Sequence, residues 1–385
     1  MFRRAIALLA LMLVTYPLVA EIGTIDIVPA STILVPYFEV DLDAGGRNTL
    51  IGLQNASATA ILLNVTLWTD YGVPTRSFNI YMTGYDQETI DLRSVFQGAV
   101  PITASDGQDP TDTISPQGWF SQDINFASCT GLLGSSSQWE NTVETETVQA
   151  AHRGEPWAEA GGNCIGRDHG DELLRGFVTI DAVNQCRSGP PSVPGYFTNV
   201  YGRQNTMLGD YAIVDGDGRM YSDTAVHLES DFIPMDYSFY GHLDGNFVEP
   251  LPTAWATTFM RDRTDLDYLR HPQSVPAAFP CGSTPAGFPL AERQAVAIDR
   301  SGTVTSLPTE LLPWAAGSTL VDDAGAPKIG WLFLNLNPSA MDLQQSWVRP
   351  RTRPEALPET TPFGFAIPAV QIATPSSSDP NPVIP

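Results

Sequence analysis

Ala60-Ile61-Leu62-Leu63-Asn64-Val65-Thr66-Leu67-Trp68 sets Ile61, Leu63, Val65 and Leu67 on one face and Asn64, Thr66 and Trp68 on the other. A period of two residues predicts a strand with one side in a core and the other toward water. Working outward, residues 49–54 read as a shorter strand, and the polar stretch Asn55-Ala56-Ser57-Ala58-Thr59 has the length of a hairpin connection. Residues 77–82 alternate again through Phe78, Ile80 and Met82, and Ile90 and Leu92 continue the pattern after the Thr83-Gly84 break. Further strand signals lie at 176–183, 211–214, 219–221, 294–299, 330–337 and 363–372. Thirty-two prolines and thirty-two glycines punctuate the chain and leave little room for long helices. Only residues 142–151 read as a short helix. The expectation is an all-β protein of the β-sandwich (Ig-like) kind, as one sandwich or two packed together.

The organisation follows from composition. Residues 1–20 read as a signal peptide: Arg3 and Arg4, an apolar run from Ala5 to Val14, Pro17, and Ala20 before the cut at Glu21. The apolar run is shorter than the roughly 20 residues of a spanning helix. Residues 21–190 are expected to form an N-terminal sandwich carrying a loop-rich insertion at about 99–172, where Ser, Thr, Gly, Asp and Pro dominate. A β-rich C-terminal domain is expected over 191–372, and a Ser/Pro-rich flexible tail over 373–385.

Four cysteines, Cys129, Cys164, Cys186 and Cys281, in a chain with an export signal read as two disulfides. The expected pairing is Cys129–Cys164 with Cys186–Cys281, and no free thiol. No closely spaced Cys or His ligand pairs point to zinc.

The formal net charge is −23, moving to −25 once residues 1–20 are removed, and Lys328 is the single lysine. Nucleic acids and anionic lipid surfaces are poor partners for such a chain, because phosphate binding draws on Lys and Arg. The acidity itself reads as a solubility device.

Several segments together resemble a recurring pattern in secreted, β-rich bacterial proteins: Ile33-Leu34-Val35-Pro36-Tyr37-Phe38-Glu39-Val40, Val65-Thr66-Leu67-Trp68-Thr69-Asp70, Tyr81-Met82-Thr83-Gly84-Tyr85-Asp86, Ile90-Asp91-Leu92-Arg93, Gly209-Asp210-Tyr211 and Ile329-Gly330-Trp331-Leu332-Phe333-Leu334-Asn335-Leu336. The resemblance implies export and a β-rich fold. It carries no activity and no functional residue with it.

The remaining motifs weigh toward structure. Asp215-Gly216-Asp217-Gly218 invites a calcium reading, but Arg219 takes the next alternate position and no bidentate Glu follows. Asp-Gly between two strands reads better as a tight hairpin turn. The stretch Asp168-His169-Gly170-Asp171-Glu172 is dense in ligand types and reads as solvated side chains. Arg261-Asp262-Arg263-Thr264-Asp265-Leu266-Asp267 alternates in sign and reads as a surface ion-pair cluster. The histidines, His152, His169, His227, His242 and His271, show no metalloprotease spacing. There is no GxSxG elbow, Walker A sequence or GxGxxG fingerprint. These observations predict no catalytic, cofactor or metal residue. The expected function is a non-enzymatic binding or structural one, in a secreted, periplasmic or cell-surface protein with an extracellular protein or glycan partner. The alternative is a secreted carbohydrate-active or other hydrolase using the acids and aromatics of 231–244, which include Tyr237, Phe239, Tyr240 and His242.

Overall fold

The period-two segments form antiparallel strands in a computed structural model. It describes residues 28–352 apart from 102–144, 185–188, 219, 231–238, 241–247, 249–250, 252–253, 262, 271–276, 284, 286–287, 290–293, 308–310, 313–315, 322–324 and 336–345. All described residues belong to one unit that ends at Pro354. The expected signal peptide, the strand at 363–372 and the tail lie outside them, as do Cys129, Cys186, His242 and His271.

Five strands make a central sheet in the order β4 (Pro74–Met82), β3 (Ile61–Thr69), β6 (Leu174–Val183), β1 (Thr32–Val40) and β9 (Val226–Leu228). A four-stranded sheet, β5 (Gln87–Asp91), β2 (Asn48–Asn55), β7 (Met207–Val214) and β8 (Met220–Thr224), belongs with it. Ile33, Val35, Leu63, Val65, Phe78 and Ile180 from the first share one core with Ile51, Leu53, Ile90, Met207 and Tyr211 from the second. Helices α1 (Leu92–Phe96) and α2 (Thr145–Arg153) add Val95, Phe96 and Val148 to this core. Asp91 caps α1 by accepting from the Ser94 backbone N–H. Strand β7 pairs with β2, β8 with β7 and β9 with β1, so the sheets run across the expected division at residues 190/191.

The sequence reading of β3 as half-buried is corrected: all nine of its residues are buried. Its second face, with Leu62 and Trp68, joins Leu34, Phe177, Val226 and Leu228 in another core. That core is closed by a π-helical turn, Tyr196–Val200, and by strands from the C-terminal half. The strands of that half are β10 (Ala254–Met260), β11 (Thr264–Arg270), β12 (Phe288–Pro289), β13 (Gln294–Asp299), β14 (Val304–Ser306), β15 (Leu311–Leu312), β16 (Gly317–Leu320), β17 (Ile329–Asn335) and β18 (Ser346–Thr352), and β10, β11, β13 and β17 supply side chains to the core. They pair in the orders β10-β17-β13-β14, β16-β11-β18 and β12-β15. The architecture is therefore all-β, with a central sheet covered on both sides.

A second correction concerns β11. Asp265 and Asp267, read as surface charges, are fully buried, and Asp267 lies 3.7 Å from the Arg349 guanidinium. The alternating signs of Arg261 to Arg263 precede β11, whereas Asp265 and Asp267 share one face of the strand and that face is covered.

A third concerns the disulfides. Cys164 bonds to Cys281, with 5.0 Å between their Cα atoms, so neither expected bond, Cys129–Cys164 or Cys186–Cys281, is formed. Backbone pairing brings this about: the Cys164 N–H donates to the Phe279 carbonyl (2.8 Å) and the Phe279 N–H to the Cys164 carbonyl (3.0 Å). The bond pins the loop after α2 to a segment of the C-terminal half, beside a small core of Tyr71, Val73, Ala151, Trp157 and Ile165.

Candidate functional site

Three places concentrate chemistry: a charged hollow, a buried aspartate under tyrosines, and an exposed apolar sheet face. The hollow is open, about 450 Å³, and lined by Asp41, Arg47, Asp171, Leu173, Asp215, Gly216 and Asp217. A chain of ion pairs runs beside it. Arg175 on β6 holds Asp171 with both terminal nitrogens and reaches Glu39 on β1 at 3.3 Å. Glu39 also receives Arg47 Nη1, and Arg47 Nε donates to Asp215 at 2.5 Å. Burial alone would raise the Glu39 carboxyl. The Tyr37 hydroxyl and the two guanidiniums outweigh it and hold the group below the usual carboxylate range. Asp171 is likewise held low, chiefly by its hydrogen bonds from Arg175. The hollow's acids are thus partly consumed in joining β1, β2, β6 and the β7–β8 turn.

That turn is where the calcium reading fell. The Gly218 N–H donates to the Asp215 carbonyl (2.9 Å), and Gly218 takes φ +84°, the left-handed region glycine favours. Asp215 faces Arg47, a cation already in place. Among the described residues no group of three or more His, Cys, Asp or Glu is arranged to hold a metal ion.

The stretch 168–172 divides. His169 Nε2 lies 3.0 Å from Asp70, and Asp171 serves Arg175, whereas Asp168 accepts from the Gly170 N–H in an exposed turn. Asp70, at the end of β3, is buried and raised by that burial, with His169 and the Arg167 N–H (3.0 Å) offsetting part of it. His152 on α2 is fully enclosed. Its Nδ1–H donates to the Arg175 carbonyl (2.8 Å) and Nε2 faces the Thr75 hydroxyl (2.8 Å), while Phe38 and Phe96 pack on the ring. Burial lowers its pKa to about 4. His227 on β9 accepts from the Gly209 N–H at 3.0 Å.

The second place lies at the middle of the central sheet. Asp181 on β6 accepts from Thr32 (2.7 Å), Tyr196 (2.8 Å) and Tyr240 (3.1 Å), all buried. Burial raises its pKa to about 6, against the pull of those hydroxyls. Tyr201 bonds Ser31 (2.6 Å) and Thr32 (3.0 Å) alongside. Of the stretch 231–244 named for the hydrolase reading, Phe239 and Tyr240 are described, and both are core side chains. Asp231, Tyr237, His242 and Asp244 lie outside the described residues.

The third place belongs to the sheet β10-β17-β13-β14. Leu332, Leu334, Ala297, Trp255 and Phe259 face the core. The other face carries an apolar row, with the polar Ser306 at its edge strand. Register sets Ile329 opposite Met260, Trp331 opposite Ile298, Phe333 opposite Val296, and Ile298 opposite Val304. Trp331 is 58 % exposed, Val304 61 % and Ile329 46 %. The alternation in 330–337 marked two faces. Trp331 and Phe333 stand where a solvated face would carry polar residues, and that was the signal available in the sequence.

Comparison with protein-family models, curated proteins and solved structures gives no match to this chain. Among the described residues no helix is long and apolar enough to cross a membrane.

Proposed function

We propose that the chain is exported and acts outside the cytoplasm as a non-enzymatic binding or structural protein, engaging an apolar partner surface through the outer face of β10-β17-β13-β14. The observation that carries this reading is the exposed set Ile329, Trp331 and Val304, with the half-buried Phe333 and Ile298 beside them, on a sheet whose opposite face already fills a core. Contiguous exposed apolar surface of this kind marks contact sites, and tryptophan is enriched among the residues that anchor such contacts. The resemblance to secreted β-rich proteins and the Arg3-to-Ala20 leader pattern support export.

Photoreactive benzoylphenylalanine replacing Trp331, compared with the same group replacing Glu172 (side chain 86 % exposed), tests the reading in the exported protein. A discrete adduct from position 331 and none from 172 is expected. No adduct at either, or equal labelling at both, retires it. N-terminal sequencing should find Glu21 first; Met1-bearing protein confined to the cytosol would defeat the export half.

A further inference from the structure

The outer face of β10-β17-β13-β14 ends at an open edge, and the edge strand is β14. The β13–β14 turn fixes which of its backbone groups look outward. The Asp299 N–H donates to the Thr303 carbonyl at 3.0 Å, and Ala297 lies opposite Thr305. Inward hydrogen bonds in an antiparallel ladder fall on alternate residues. Thr303 and Thr305 therefore bond to β13, and Val304 and Ser306 turn their N–H and C=O groups to the edge. Both residues are exposed. Natural edge strands are commonly blunted by a charge or a proline. The exposed edge β5 carries Glu88; Val304-Thr305-Ser306 has neither, and only its three-residue length limits what can pair with it.

We infer that β14 accepts an added strand: an extended segment of another polypeptide, apolar at alternate residues, with a carboxylate at the end nearest the β13–β14 turn. This rests on the binding reading above and names the partner for the same face. Strand addition satisfies the edge groups of Val304 and Ser306, and alternate side chains of the incoming segment lie beside Val304 on the Trp331 side. The charge preference comes from Arg300, in the turn, and Lys328, one residue before β17, both exposed at that end. The neighbouring Asp299 carboxylate is occupied by Ser301 (2.6 Å) and the Ser301 and Thr303 N–H groups (2.8 Å each). Arg261 at the same end donates to the Ala326 carbonyl.

Size argues for a segment and against a second copy of this chain. Four strands about 4.8 Å apart and some six residues long span roughly 400 Å². A stable interface takes about 800 Å² from each partner. A net charge of −23 adds mutual repulsion between copies.

The test uses the whole chain and two capped, fluorescein-labelled nine-residue peptides of alternating Val and Thr, one ending in two Asp and one in two Lys. Anisotropy should show the Asp peptide binding at least tenfold more tightly than the Lys peptide. Adding it should slow amide exchange at Val304 and Ser306. Ser306→Pro removes an outward donor without touching the inward ladder and should weaken binding at least tenfold at an unchanged melting temperature. Arg300→Glu with Lys328→Glu, an exposed pair whose exchange leaves the edge intact, should reverse the preference between peptides.

Strand addition is overturned if the Asp peptide fails to bind at millimolar concentration. It also falls if the peptide binds without slowing exchange at Val304 and Ser306. Capture of a glycan or a lipid at position 331 overturns it as well. A polypeptide adduct at 331 with no peptide binding keeps the face and discards the edge. Peptide binding with exchange protection, and no adduct at 331, keeps the edge and discards the face.

Discussion

Asp181 and His152 titrate in opposite senses within the same interior. Burial holds the Asp181 carboxyl at about 6, above the 3.8 of a free aspartate, so the folded chain binds its proton more tightly than the unfolded one. Its stabilising contribution is full below pH ~4 and is lost as pH rises through about 6, worth about 3 kcal/mol at 1.36 kcal/mol per unit. His152 is lowered from 6.5 to about 4, so its contribution is present above pH ~6.5 and is lost as pH falls toward 4, by a similar ~3 kcal/mol. Between pH 4 and 6 the two offset each other. Asp181→Asn should therefore gain about 3 kcal/mol on the native protein between pH 4 and pH 7, read from urea denaturation at each pH. A difference that stays flat across that range would dismiss the raised carboxyl. Neither group was legible as special in the sequence. Asp181 looks like one of forty-three acids, and its role comes from Tyr196, Tyr240 and Thr32, which arrive from three separate segments.

Among the elements, β3 and β6 meet where Gly176 leaves room for the chain. A Cβ at 176 would come 2.0 Å from the Trp68 carbonyl oxygen, and β1 shifts register between Val35 and Phe38 beside it. Gly176→Ala should cost about 3 kcal/mol or more by forcing two central strands apart, measured by chemical denaturation. An unchanged midpoint would show that the strands can separate freely there. The Cys164–Cys281 bond closes a sequence separation of 117 residues. Cys281→Ser should lower stability by about 4 kcal/mol on a loop-entropy account. Non-reducing peptide mapping should recover Cys164 linked to Cys281, and a Cys164–Cys129 peptide would contradict the structure. Alternation made β2, β3, β4, β6, β13 and β17 readable, because a period of two reports which side each residue takes. It does not report whether both sides are covered. The polar Asn64 and Thr66 were placed on a solvent side for that reason, yet both are buried, Asn64 under the Gly189 carbonyl and the Tyr196 hydroxyl.

Across the whole molecule, Arg349 on β18 ties the C-terminal strands to the N-terminal sheets. It reaches Asp267 on β11 (3.7 Å), the Thr224 carbonyl on β8 (2.8 Å) and the Tyr211 hydroxyl on β7 (3.0 Å). Arg349→Met should destabilise by about 3–5 kcal/mol, since Asp267 stays buried and loses its cation. Partial rescue by Asp267→Asn in the same chain would confirm the cause, and a neutral single variant would refute it. The hollow could not be assembled from sequence, because Glu39, Arg47, Asp171, Arg175 and Asp215 belong to distant segments that only the sheet order brings together.

Ser31, just before β1, donates to the carbonyl of Leu228 across 197 residues of chain, and β9 seals the edge that β1 would otherwise leave bare. Strand β1 thus waits for β9, the last strand of its sheet in chain order. Contacts of such long range slow folding. A ribosome that has not yet reached Leu228 carries a thread with an unfinished seam.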